Sequence, residues 1–255
     1  MKGLCKWGAS RKGRRMRKVA AEFFMITYEE VLKELERLSE EKFADFQRRI
    51  ICDDKLNIIG VRTPALRSLA KKYKGEYEAF SRFPDEIYEV VFLKLSLAAA
   101  LPYEEFITVS DDCVALISDW ALCDCFAPAG IKKHREDYVP FIKKYLACTT
   151  GYSEGEYVRR FALTTLLHFY VEEKYLDLIF DCVKSCRPEK YYVMMGAAWL
   201  LAEVLIKHYE RGFEYLNSTM CDINIKNKAI SKACDSFRLT DGQKEQLKAL
   251  RVKRS

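Results

Sequence analysis

Helix-start signals recur from one end of this sequence to the other, and strand signals are nearly absent. Thr63-Pro64 joins an N-cap to a proline at the first helical position and predicts a helix over 63–73. Pro84-Asp85 opens a mostly apolar helix to about residue 101, Pro102 breaks it, and 103–117 continues as another. Helical periodicity then predicts 119–129, 137–147, 153–171 and 175–186. Pro188 opens a long helix to His208, followed by helices near 212–220, 225–235 and 240–252. Near the start, Thr27 can cap a helix and Glu30 can complete a capping box. Only 11 Gly and 6 Pro occur in 255 residues, too few for a chain of short strands and tight turns. The pattern is all-α, with about a dozen helices and short connections. Helices strung without a Gly/Ser linker fit a bundle or a solenoid, and pairs every ~40 residues have the period of HEAT-type repeats.

Charge is unevenly spread. Lys and Arg number 43 against 37 Asp and Glu, a formal net charge of +6. Residues 1–24 hold eight Lys or Arg against Glu22 alone, and residues 226–255 hold nine against three carboxylates, which leaves 25–225 at −7. A nucleic-acid binder of this composition must work through local basic patches. Two readings of the basic start stay open. It is a tail that touches phosphates or anionic surfaces, or the ordered protein begins at Met25. The expected division is a tail over 1–24 and one helical-repeat domain over 25–255.

The ten cysteines do not form a metal-binding pattern. Cys123-x-Cys125 and Cys182-x3-Cys186 are the close pairs, and His134, His168 and His208 lie far from both in sequence. Isolated cysteines are usually small core residues, and reduced thiols fit a cytoplasmic protein. No run reaches the ~18 apolar residues of a membrane span. The longest candidate, 90–101, is broken by Lys94 and Ser96. The basic start is not followed by the long apolar run of a secretory signal. No metal and no cofactor are expected.

The most informative stretch runs from Asp119 to Ala127. On a helical wheel Ala121, Leu122, Cys125, Phe126 and Ala129 form an apolar face, while Trp120, Cys123, Asp124 and Ala127 point away from it. Trp120 and Asp124 are i, i+4 neighbours, so an indole and a carboxylate share a face that the core does not need. A solvated helix face is the plain alternative. Arg160 shares a stripe with Thr164, Leu167 and Val171. An arginine on an apolar stripe needs a partner, either a protein carboxylate or a bound phosphate. Trp199 falls between an apolar stripe (Met195, Ile206) and a polar one (Tyr192, Gly196, Glu203, Lys207), at the rim of a core. Lys228 and Lys232 are i, i+4 neighbours in a basic stretch that continues to Arg238, either a solvated face or a phosphate-contacting edge.

Five segments in order make the sequence recognisable. They are Ile59-Gly60-Val61-Arg62-Thr63-Pro64 with Leu66-Arg67, Trp120-x3-Asp124, Val158-Arg159-Arg160-Phe161-Ala162, Tyr192-Val193 through Trp199, and Asn227-Lys228-Ala229 with Ser236-Phe237-Arg238. Together they cover about 43–250. The chain resembles the DNA alkylation repair family of HEAT-like-repeat DNA glycosylases, the AlkD-like proteins. The resemblance implies a right-handed α-α superhelix, a solenoid of antiparallel HEAT-like helix pairs with a concave DNA-holding surface. It implies excision of N3- or N7-alkylated purines from duplex DNA by cleavage of the N-glycosidic bond, by a protein taken to be a monomer. Carried over by motif, Asp124 is the catalytic carboxylate, and Trp120 and Trp199 supply the aromatic contacts. Arg160 completes the DNA-facing cleft. Met194 and Met195 stand where the family pattern often has polar or basic residues.

The implied chemistry is consistent with these residue types. An alkylated purine already carries positive charge and can leave without a strong general acid. Oxocarbenium character develops on the deoxyribose, and one carboxylate can stabilise it and position a water. Indole faces suit a cationic base through cation–π attraction. Arg160 would then hold a backbone phosphate, with Lys228, Lys232 and Arg238 as further DNA contacts. Two rival readings share the fold, a non-catalytic DNA-binding scaffold and a scaffold that binds another protein.

Overall fold

The computed structural model describes residues 26–51, 56–186 and 189–252. The basic segment 1–24, the alternative start at Met25 and Pro188 lie outside the described residues. The described residues form fourteen α-helices, and they contain no strand beyond two isolated bridges. In chain order these are α1 (Tyr28–Arg37), α2 (Glu41–Ile50), α3 (Thr63–Lys72), α4 (Tyr77–Ser81), α5 (Tyr88–Ala98), α6 (Tyr103–Ala115) and α7 (Trp120–Cys125). They continue with α8 (Arg135–Leu146), α9 (Glu156–Phe169), α10 (Leu176–Ser185), α11 (Tyr191–Lys207), α12 (Tyr209–Asn217), α13 (Ile223–Cys234) and α14 (Asp241–Ala249).

The helices fall into a row and a flanking layer. α3 packs on α5, α5 on α7, α7 on α9, α9 on α11 and α11 on α13. The helices between them lean on this row: α4 and α6 on α5, α8 and α10 on α9, α12 on α11, α14 on α13. Each row helix touches its neighbours in the row, as in an α-solenoid. α5 is buried almost all round, which is what an apolar helix without a polar stripe requires, and α9 and α11 bury more than half of their residues.

Burying α5 also buries Glu89, which is fully covered, and Lys94. Neither is left alone. The Glu89 carboxylate accepts from the main-chain N–H groups of Ile59 (3.1 Å), Gly60 (2.7 Å) and Val61 (3.2 Å). Lys94 donates to the Phe83 carbonyl and to Asp85. The Ile59-Gly60-Val61 motif is therefore an anchor that ties the loop before α3 to α5. Gly60 sits at φ +95°, and a Cβ there would lie 2.6 Å from the Glu40 carbonyl oxygen, so this position requires glycine.

Polar contacts between successive helices recur along the solenoid. Three Lys-Tyr dipeptides each clasp a carboxylate one repeat earlier in the chain. Lys72 and Tyr73 bind Glu34, 38 and 39 residues back. Lys144 and Tyr145 bind Asp111, the phenol at 2.8 Å and 34 residues back. Lys174 and Tyr175 bind Glu136, the phenol at 2.8 Å and 39 residues back. In each clasp the ammonium also lies over its own tyrosine ring, at 5.0, 5.7 and 4.3 Å.

Several predicted boundaries move for local reasons. α5 begins at Tyr88 rather than at Pro84, because Asn57 pairs with the main chain of Glu86 and Tyr88 and holds it extended. α7 stops at Cys125 rather than 129, since Pro128 keeps the residue before it out of the helical region. α9 begins at Glu156 because Ser153 and Glu154 take left-handed φ values of 49° and 57°. α2 and α4 were not among the predicted helices.

Candidate functional site

Asp119 starts the site by capping α7. Its carboxylate accepts from the N–H groups of Ala121 (2.6 Å) and Leu122 (3.1 Å). The cap fixes Trp120 as the first residue of the helix and Asp124 one turn later. Trp120 is half-buried against the core and Asp124 keeps 21 % of its side chain exposed.

The wheel assignment of the two α7 cysteines is reversed in the structure. Cys123 is fully buried, with its thiol toward the Tyr157 carbonyl and Thr164 Oγ1, each at 3.8 Å. Cys125, expected in the core, is exposed, and its thiol meets Arg67 of α3. The reason is the row. α7 lies between α5 and α9, so α9 covers the flank the wheel assigned to solvent. Burial pushes the Cys123 thiol pKa well up, with the Asp124 charge adding to it.

Arg160 of α9 finds a protein carboxylate. Its side chain is 7 % exposed. Nε donates to Asp124 Oδ1 at 2.9 Å and Nη2 to Asp124 Oδ2 at 2.7 Å, a two-pronged pair. Nη1 donates to the Tyr192 carbonyl at the start of α11, at 2.9 Å, and the guanidinium stands 6.0 Å from the centre of the Tyr192 ring. Burial works against the Arg160 charge, but the hydrogen bonds and charge of Asp124 outweigh it and its pKa is raised. The guanidinium expected to hold a phosphate is thus engaged by α7 and α11.

Two further groups face the pair. His168, three turns along α9, hydrogen-bonds the Asp124 main chain and feels its carboxylate. The His168 side chain is exposed, and partial loss of solvent against its neighbours still lowers the imidazole pKa from its ordinary value. Lys232 of α13 is half-buried, and its pKa is lowered by desolvation, then by the charges of Lys228 and Arg160, with Asp235 and Asp124 opposing. Lys228, Lys232, Arg160 and Asp124 therefore share one electrostatic neighbourhood along α7, α9 and α13.

The other residues singled out in the sequence lie along the same row. Trp199 is half-buried on α11, seven residues after Tyr192 and so on the same face of that helix. One turn further, Glu203 accepts from Arg238 at 3.0 and 3.3 Å and pairs with Lys207 at 3.2 Å. Arg238 is thus an ion-pair partner of α11. Asn227 grips the main chain of Val252 through its side-chain amide, at 2.8 and 3.0 Å, which accounts for this motif residue structurally.

Tyr192, His168 and Glu203 were missed as site residues. Tyr192 acts through its carbonyl, which no residue type advertises. The Arg160–Asp124 pair spans 36 residues, one repeat, the same spacing as the Lys-Tyr clasps. That spacing was the available signal.

A family model described as DNA alkylation repair enzyme matches residues 31–237. Among curated proteins, none matches the chain.

Proposed function

The chain belongs to the DNA alkylation repair enzyme family, and on that footing we propose that it is a monofunctional DNA glycosylase. Its substrate is duplex DNA carrying N3- or N7-alkylated purines, and it hydrolyses the N-glycosidic bond of the lesion. The observation that carries this reading is Asp124, a partly exposed carboxylate held in a fixed orientation by the two-pronged pair with Arg160.

An alkylated purine is a cationic leaving group, so departure needs no proton. The sugar becomes oxocarbenium-like as the bond lengthens, and a preoriented carboxylate favours that charge. A carboxylate offers about four lone-pair directions. Arg160 takes one on each oxygen of Asp124, which leaves the others for a water or the sugar. Arg160 is then a positioning residue for Asp124. Trp120 and Trp199 present indole faces to the cationic base. Lys228 and Lys232 hold phosphates, which fixes register without reading sequence.

The test is release of 7-methylguanine and 3-methyladenine from methylated duplex DNA. Wild type should release base, and Asp124→Asn should lose at least about 100-fold in rate with DNA affinity retained. Absence of release by wild type that binds DNA rejects the catalytic reading.

One observation favours a second reading. Both Asp124 oxygens are engaged by Arg160, which is also the geometry of an ion pair that only joins α7 to α9. A DNA-binding solenoid without catalysis would bind duplex DNA in a salt-sensitive way and release no base.

A further inference from the structure

Phe237 is the most exposed large apolar side chain among the described residues, at 102 %. It is not the tip of a loose segment. The next residue, Arg238, is pinned to Glu203 of α11, and its N–H donates to Ser236 Oγ at 3.2 Å. Leu239 is buried at 5 %. Thr240 caps α14 with a full capping box. The turn between α13 and α14 is therefore held on both sides while it presents a bare phenyl ring to solvent.

The stretch of chain that carries the ring is basic. Residues 226–252 hold seven Lys or Arg against three carboxylates. Lys232, in the last turn of α13, senses Arg160 and Asp124, and Arg238 reaches the α11 face that carries Trp199. A flat, exposed apolar ring carried by a basic stretch matches a partner that has both anionic groups and exposed π-faces. Nucleic acid has both, and single apolar side chains are used to wedge between base steps.

We propose that Phe237 is a DNA-stacking contact, inserting its ring against a base step while Lys228 and Lys232 hold the adjacent phosphates. This rests on the DNA reading above and adds a contact outside the Asp124 centre. A phenyl ring has no hydrogen-bonding group, so the contact is indifferent to sequence and responds to how readily a step unstacks.

Because the ring is fully exposed, Phe237→Ala removes no packing, and its thermal midpoint should equal that of wild type. Duplex affinity is measured by anisotropy with the full chain. Phe237→Ala should bind about 10-fold more weakly with an unchanged salt slope, because an apolar contact releases no counterions. Phe237→Trp should retain affinity, and 2-aminopurine at the contacted step should brighten with wild type but not with Phe237→Ala. Equal affinity of wild type and Phe237→Ala overturns the proposal. So does a Phe237→Ala protein that binds DNA normally but has lost a self-associated species seen by sedimentation. Failure of wild type to bind any duplex instead overturns the DNA reading, and this contact with it.

Discussion

Glu156 and Arg160, one turn apart on α9, hold the two ends of the same residue on α11. The Glu156 carboxylate accepts the Tyr192 N–H at 2.7 Å, and Arg160 Nη1 donates to the Tyr192 carbonyl at 2.9 Å. The first turn of α11 is thereby locked to α9, and the same guanidinium locks α9 to Asp124 on α7. Asp124 is oriented by a relay across three helices of the row.

That relay makes the pair costly to break on one side. Asp124→Ala leaves Arg160 buried without its carboxylate and should destabilise the fold by about 3–5 kcal/mol. Asp124→Ala combined with Arg160→Met should recover much of this, since no uncompensated charge remains. Urea unfolding of the two singles and the double gives the coupling directly. Additive losses would show that the pair does not act as a unit.

The loop before α3 should be equally intolerant. Glu89→Ala strips three main-chain N–H groups of their acceptor and should cost about 3 kcal/mol or more. Gly60→Ala should also destabilise, by more than about 1 kcal/mol, because φ is +95° and the new Cβ meets the Glu40 carbonyl. Either protein melting within a degree of wild type would contradict the anchor.

Acid should weaken the fold in two stages. His168 has a lowered pKa in the folded chain, so the unfolded chain takes up its proton first, and this contribution fades as pH falls below about 6.5. The clasp carboxylates follow. Hydrogen bonds from Lys144 and Tyr145 hold Asp111 low, and those from Tyr175 and Lys174 hold Glu136 low. Burial pushes Glu34 up, but Lys72 and Tyr73 outweigh it. Depressed carboxylates stabilise above their ordinary range and lose that stabilisation as pH falls through their folded values. Urea midpoints at pH 8, 6 and 4 should fall, most between pH 6 and 4, and His168→Gln should remove only the small upper change, since this imidazole is exposed.

For DNA binding, Lys228→Ala and Lys232→Ala should each weaken affinity about equally on methylated and unmethylated duplexes. Each should also reduce the slope of log affinity against log salt by about one. Titration between low and moderate salt distinguishes this from a solvated face, for which the slope would not change.

The all-α class and most helix positions follow from capping residues and 3.6-residue periodicity, which are local. Pro84 misled because the delay of α5 to Tyr88 depends on Asn57, a partner far along the chain. Cys123 and Cys125 were exchanged because a wheel assumes one covered side, whereas α7 has neighbours on both. The need of Arg160 for a partner could be read from its apolar stripe, but the choice of Asp124 depended on repeat spacing. The same spacing separates three Lys-Tyr dipeptides from their carboxylates, and it stays hidden because nothing in the sequence marks which carboxylate each one meets.

The two sides of the solenoid are held by different forces. Its row is joined by apolar packing around the shielded Asp124–Arg160–Tyr192 relay, whereas the Lys-Tyr clasps and the ties of Arg211 to Glu173 and Asp177 are ion pairs open to solvent. Added salt screens the second kind of contact and leaves the first intact or stronger. How firmly one repeat is clasped to the next is therefore a property of the solvent as well as of the sequence.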